Sequence, residues 1–129
     1  MKWLLKFFGS KIETKKNVEN VDRSDWKGKD FEFMITGDIN IPIDKFEDIM
    51  LPKSLELKEI KRDNWTYYQF GENEFTYSYE MVGIQMTFND NIDYRKAKEI
   101  VDEVLEQIKC FGQKPELLIL RSDTLYKFD

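Results

Sequence analysis

WTYYQFGENEFTYSYE (residues 65–80) sets two aromatic-rich runs on either side of a short loop that contains Gly71 and Asn73. Aromatic side chains suit a pleated sheet surface, and glycine or asparagine supplies the backbone freedom that tight hairpins need. The stretch therefore reads as a β-hairpin. With a loop of two or four residues centred on Glu72-Asn73, Phe70 falls opposite Phe75. Thr66, Tyr68 and Phe70 then share one face with Phe75, Tyr77 and Tyr79. Trp65, Tyr67 and Gln69 share the other with Thr76, Ser78 and Glu80. The first face has the character of a core. The second sets Trp65 and Tyr67, large amphipathic rings, inside a polar rim, which is the composition of an interface hot spot. Cover by the chain's own leader, through Trp3, Phe7 or Trp26, is the competing reading of that face.

Just downstream the apolar phase slips. Phe75, Tyr77, Tyr79 and Met81 are odd-numbered, whereas Val82, Ile84, Met86 and Phe88 are even. A slip of one residue reverses every side chain unless a bulge absorbs it, so one long bent strand over 75–88 is expected, with a bulge at 81–83 beside Gly83. Asn89-Asp90-Asn91 ends the strand, and Asn91 or Asp93 can cap the next element. There Ala97, Ile100, Val101, Val104, Leu105, Ile108 and Phe111 recur at helical spacing, up to Gly112 and Pro115. That periodicity predicts an amphipathic helix over 93–111.

Upstream, FEFMIT (31–36) alternates as a half-buried strand with Phe31, Phe33 and Ile35 on one face. Ile39, Ile41 and Ile43 alternate next, but Pro42 confines that run to an edge or a loop. Asp44 precedes Glu47 by three residues, a capping spacing, and opens a short helix with Phe46, Ile49 and Met50 on one side, stopped by Pro52. LELKEIKR (55–62) reads as an exposed strand, closed by a turn at Asp63-Asn64. LLIL (117–120) is apolar on both faces and reads as a central buried strand. TLYKF (124–128) reads as a last edge strand. The sum is an α+β architecture: a mainly antiparallel sheet of about five to six strands, one long helix on one face, and short helical segments toward the N-terminus.

The chain has 129 residues, 41% of them apolar, enough for one domain. Its net charge of −5 is unevenly spread. Residues 1–29 carry a surplus of Lys and Arg and form a basic leader and linker; residues 30–129 form an acidic body. An acidic body repels a phosphate backbone, which argues against direct nucleic-acid binding. The aromatic hairpin also lacks the interleaved Arg and Lys of a base-stacking platform.

The opening MKWLLKFFGSK (1–11) is apolar, but Lys6 interrupts it and no small-residue cleavage site comes after it, so an export signal is not expected. Trp3, Leu4, Leu5, Phe7 and Phe8 suit docking on the protein's own core or a weak contact with a membrane surface. Residues 10–29 are polar, with Val18 and Val21 on a possible short helix and Trp26 as an anchor.

Histidine is absent, which removes the commonest general base and the Ser-His and Cys-His nucleophile pairs. Cys110 is the only cysteine, so no internal disulfide forms; it fits a reducing, cytoplasmic setting and reads as a packing residue. Asp38, Asp44, Asp48 and Asp90 read as turn and helix caps rather than a paired-carboxylate site, and NDNID (89–93) lacks the glycine and distant glutamate of a calcium loop. No phosphate-binding, dinucleotide or metallohydrolase motif is present, and neither a cofactor nor a metal is expected. Asn64-Trp65-Thr66 matches a glycosylation sequon, which carries no weight without export.

One further feature stands out. Glu99, Asp102, Glu103 and Glu106 recur at helical spacing opposite the apolar stripe, a possible steering surface for a basic partner. Sequence reasoning thus favours a non-catalytic protein-binding module, by analogy a small acidic inhibitor or immunity-type protein that neutralises a basic protein. The steering residues would be Glu99, Asp102, Glu103 and Glu106, and the docking residues Trp65, Tyr67, Gln69 and Glu80. The alternative is a peripheral membrane protein held by its basic aromatic opening.

Overall fold

The computed structural model describes residues 23–121. Six antiparallel strands form one sheet in the order β2-β3-β4-β5-β1-β6. They are β1 (Phe31–Asp38), β2 (Lys58–Arg62), β3 (Trp65–Phe70), β4 (Asn73–Glu80), β5 (Gly83–Phe88) and β6 (Lys114–Arg121). Two helices, α1 (Phe46–Met50) and α2 (Tyr94–Cys110), pack on the sheet, and 3-10 turns span Gly28–Asp30 and Ile43–Lys45. The class is α+β, with β2 to β5 a meander and β1 inserted between β5 and β6.

The meander arises from its turns. Asp63 and Asn64 join β2 to β3, and both have positive φ (54° and 71°), the backbone that a type I′ turn requires. Gly71 and Glu72 join β3 to β4; of the two only Gly71 has positive φ (58°), the glycine-first pattern of a type II′ turn. This corrects the register expected from sequence. Tyr68 pairs with Phe75 and Phe70 with Asn73, a shift of two residues that comes from the turn closing one residue earlier. Because a two-residue shift preserves the faces, Tyr68, Phe70, Phe75 and Tyr77 still point together into the core.

The phase slip at 81–83 is a third hairpin, not a bulge. Glu80 pairs with Gly83 across a two-residue turn of Met81 and Val82. Across such a turn odd positions of β4 meet even positions of β5, so Phe75 pairs with Phe88, Tyr77 with Met86 and Tyr79 with Ile84. The slip therefore keeps the core face continuous. Gly83 is needed for close approach: a Cβ there would stand 2.2 Å from the Ile35 carbonyl oxygen of β1.

The core lies between this face and α2. Phe33, Ile35, Phe75, Met86, Val101, Val104 and Ile108 are completely or almost completely buried, each worth roughly 1.5–3 kcal/mol relative to exposure. Rings interlock across the strands: Phe75 lies 5.4 Å from Tyr68, 5.5 Å from Tyr77 and 5.6 Å from Phe88, centroid to centroid. Packing reaches back to Trp26, an anchor as its sequence position suggested. It is buried, stacks on Phe31 and meets the edge of Tyr94.

Several sequence expectations need correction. β1 is not half-buried, because Glu32 and Met34 on its second face are buried as well. LLIL lies on β6 at the flank of the sheet and is partly rather than fully buried. Leu117 and Ile119 of that run join the core. Asp44 does not cap α1; it sits inside the 3-10 turn, and Lys45 occupies the cap position. Asp93 takes the N-cap position of α2, but its carboxylate pairs with Lys27 instead of a helix amide. That pairing pulls Asp93 below, and pushes Lys27 above, their usual pKa values. Phe111 and Cys110, expected to pack, are exposed at the C-terminal end of α2. Val18, Val21 and the TLYKF strand lie outside the described residues.

Candidate functional site

Trp65, Tyr67 and Gln69 on β3 and Glu80 on β4 do occupy the sheet face that points away from the core. Trp65 begins its strand and is 46% exposed. Tyr67 is less available. The guanidinium of Arg62 lies 4.4 Å from its ring centroid and is held there by Glu74 through two hydrogen bonds of 3.0 and 2.9 Å. The ring is thus covered by a cation of its own chain, fixed by a bidentate carboxylate. Glu80 accepts a 2.5 Å hydrogen bond from Ser78. Among the described residues the β3–β4 part of this face is polar and largely self-paired, with the Trp65 indole half exposed.

The carboxylates of α2 are also largely engaged. Both Asp102 oxygens accept from Lys98 at 2.9 Å, and Glu106 pairs with Lys109 at 3.2 Å. Glu103 accepts from the Ser54 backbone amide at 2.9 Å and from its hydroxyl at 2.5 Å, fastening the loop after α1. Only Glu99 stands exposed without such a contact among the described residues. Over Tyr94–Cys110 four acidic residues are balanced by Arg95, Lys96, Lys98 and Lys109. The helix is therefore a weak source of long-range attraction.

The exposed apolar surface gathers elsewhere. Ile43, Met81 and Tyr79 are 92%, 80% and 62% exposed, three of the five large apolar side chains so placed among the described residues. They meet around Ile41 at one corner of the molecule, where the segment after β1 passes the β4–β5 turn. Between that segment and the core face of β2–β4 runs a groove of about 540 Å³. Ile41, Ile43, Phe46, Tyr68 and Tyr79 form its apolar lining, and Glu47, Glu59 and Lys61 border it. A second, smaller hollow continues past Tyr79 to Glu80 and Met81, so Glu80 alone of the anticipated residues adjoins this corner.

Side-chain amides hold the corner in shape. Gln113, just beyond α2, grips the Asn40 backbone, accepting from its N–H at 2.6 Å and donating to its carbonyl at 2.7 Å. Gln107 donates to the carbonyls of Ile49 and Leu51 (3.0 and 2.9 Å) and accepts from Lys53 N–H at 3.0 Å. Phe46 meets the edge of Tyr77, whose hydroxyl donates to the Met50 carbonyl at 2.6 Å. The segment that presents Ile43 is thus tied at both ends, so the apolar corner is a formed surface. Burial pushes the Tyr68 phenol above its usual pKa, and the nearby carboxylates of Glu59 and Glu47 add to the rise. Burial does the same to Tyr79.

Sequence reasoning missed this corner although one signal was present. A hairpin turn normally takes glycine, asparagine or aspartate, so Met81-Val82 at the phase slip, read as a turn, puts a large apolar side chain in water. Among the described residues no three of Asp, Glu and Cys converge to hold a metal ion, and no helix is long and apolar enough to cross a membrane. Trp3, Leu4, Leu5, Phe7 and Phe8 lie outside the described residues. No protein-family model, curated protein or solved structure matches the chain.

Proposed function

We propose that this chain is a non-catalytic binding module of the small acidic inhibitor or immunity type, and that it engages a basic protein partner at the Ile43–Tyr79–Met81 corner. One observation carries the reading. Large apolar side chains are buried across the rest of the core face, yet three collect in water at one corner held rigid by hydrogen bonds. Contiguous apolar groups rimmed by polar ones mark association surfaces, and an aromatic ring such as Tyr79 is a frequent anchor. The chain's charge of −5 supports a partner of opposite sign, drawn in by the field of the whole molecule rather than by α2 alone. The exposed thiol of Cys110 supports a reducing, cytoplasmic setting.

The test is affinity capture from lysate of the source organism, comparing the native chain with the double variant Ile43→Asp, Met81→Asp and with Trp65→Ala. The expected outcome is a protein of basic pI retained by the native chain and by Trp65→Ala, but lost from the double variant while its melting temperature is unchanged. Retention of the same protein by the double variant, or loss only in Trp65→Ala, would move the interface to the opposite face.

A further inference from the structure

The groove beside that corner has more specific chemistry than a plain apolar patch. Its lining combines the aromatic side chains of Phe46, Tyr68 and Tyr79 with the aliphatic chains of Ile41 and Ile43, and two exposed carboxylates, Glu47 and Glu59, border it. The chain's own Lys61 already reaches the same place. Its ammonium donates to the Thr66 hydroxyl at 2.9 Å and lies 3.5 Å from Glu59, and its side chain is 71% exposed. A loosely held lysine at such a border shows that the groove's potential favours a cation. It satisfies one carboxylate only in part and leaves Glu47 without an ion pair among the described residues.

We propose that the groove receives an arginine side chain of the partner. The inference rests on the binding function proposed above. A guanidinium is planar and weakly hydrated, so it stacks on an aromatic face and still offers several donors to carboxylates at its edge. In this groove its methylene stem lies along Ile43 and Phe46, its plane meets Tyr68 or Tyr79, and its edge donates to Glu47 and Glu59. Lys61 gives up Glu59 to the incoming group and keeps Thr66. The Tyr68 phenol supports this polarity: beyond the effect of burial, both carboxylates are close enough to raise its pKa further. The precedent inside the molecule is Arg62, which uses the same combination of a tyrosine face and a carboxylate on the opposite side of the sheet.

Amide-detected NMR titration of the full chain with n-butylguanidinium, n-butylammonium and n-butanol tests the assignment. Saturable shifts at residues 43–47, 59–61, 68 and 79 are expected with the guanidinium, weaker ones with the ammonium, and none with the alcohol. Glu47→Gln, Glu59→Gln should abolish the response without changing the melting temperature. Lys61→Ala should tighten it by about threefold, because the internal competitor is removed. An equal response to butanol would reduce the groove to a plain apolar cleft, and non-saturating shifts spread over all acidic surfaces would reduce the binding to charge screening. Concentration-dependent sedimentation that the same variants abolish would give the groove to a second copy of the chain. Each of these three results overturns the proposal. Saturable guanidinium binding in a chain whose apolar corner captures no partner would keep the groove's ligand class and remove only the partner. A flat titration with patch-dependent capture would do the reverse.

Discussion

Phe75 and Tyr79 sit on the same strand, on the same face, four residues apart, and meet opposite fates: Phe75 is completely buried and Tyr79 is mostly in water. Each has an apolar cross-strand partner on β5, Phe88 for one and Ile84 for the other. Phe75 also has a partner on β3, Tyr68, whereas the register with β3 does not reach Tyr79. The difference lies in how many neighbours the sheet and its surroundings supply. Phe75 is enclosed by Tyr68, Phe70, Tyr77 and Phe88. Tyr79 lines a groove with the Ile41–Ile43 segment and stays mostly in water. An aromatic ring at the first position is needed to close the core. An aromatic ring at the second contributes little to folding, and the proposed interface would give it a use.

Phe75→Ala is the substitution that most forcefully breaks the buried end. It removes a ring from the centre of an aromatic cluster whose neighbours are fixed by the sheet and cannot fully collapse. A loss of about 3–5 kcal/mol of unfolding free energy is expected, read from the denaturant midpoint at unchanged slope. A loss below about 1 kcal/mol would mean that the cluster is more plastic than its close ring contacts imply.

How much of this contrast was legible beforehand depends on the kind of information each residue carries. Periodicity reported faces well: Ala97, Ile100, Val101, Val104 and Ile108 are buried as their spacing required, and Tyr68, Phe70, Phe75 and Tyr77 share the core. It reported neighbours poorly. The hairpin register was displaced by two residues because Gly71 fixes the turn through its own positive φ, a local property that the count of loop residues ignores. The Met81-Val82 turn was hidden because neither residue has turn chemistry. LLIL revealed two apolar faces but not which strand lies alongside, and β1, not β6, takes the interior place between two neighbours. The outward placement of Trp65 and Tyr67 came from alternation alone. Arg62 over Tyr67 is a contact that no pattern specified, whereas Lys98 on Asp102 has the four-residue helical spacing that sequence reasoning passed over.

Tyr77 stands between the two ends and sharpens the comparison through pH. Its hydroxyl donates to the Met50 carbonyl, and complete burial pushes its pKa well above the ordinary phenol value. Because the folded pKa is raised, the unfolded chain loses this proton first as pH climbs. The contribution to stability is therefore intact below pH about 10 and declines above it. Tyr77→Phe leaves the Met50 carbonyl without its donor and should cost about 0.5–1.5 kcal/mol at neutral pH. The same variant should lose stability less steeply than the native chain between neutral and strongly alkaline pH. A shallower limb is expected rather than a flat one, since Tyr68, Tyr79 and Tyr94 also have raised pKa values. Identical alkaline limbs in the two proteins would show that the Tyr77 phenol ionises without unfolding the chain.

Tyr79→Ala is the smallest perturbation for the fold and the most informative for function. The ring is mostly in water, its hydroxyl has no hydrogen bond among those of the described residues, and its removal uncovers only part of Ile84, its buried cross-strand partner. Unfolding free energy should change by no more than about 0.5 kcal/mol, within the range of ordinary surface substitutions. Partner affinity should fall by about 2 kcal/mol or more if the ring is an interface anchor, a difference of roughly 30-fold in Kd. The two readouts separate because the same side chain is judged by two different surroundings. Folding surrounds it with water and a few isoleucine methyls, whereas the complex would surround it completely. A Tyr79→Ala chain that is destabilised as much as Phe75→Ala would erase the distinction between the ends of β4. A chain that is as stable and binds as tightly as the native one would leave the ring without a role in either.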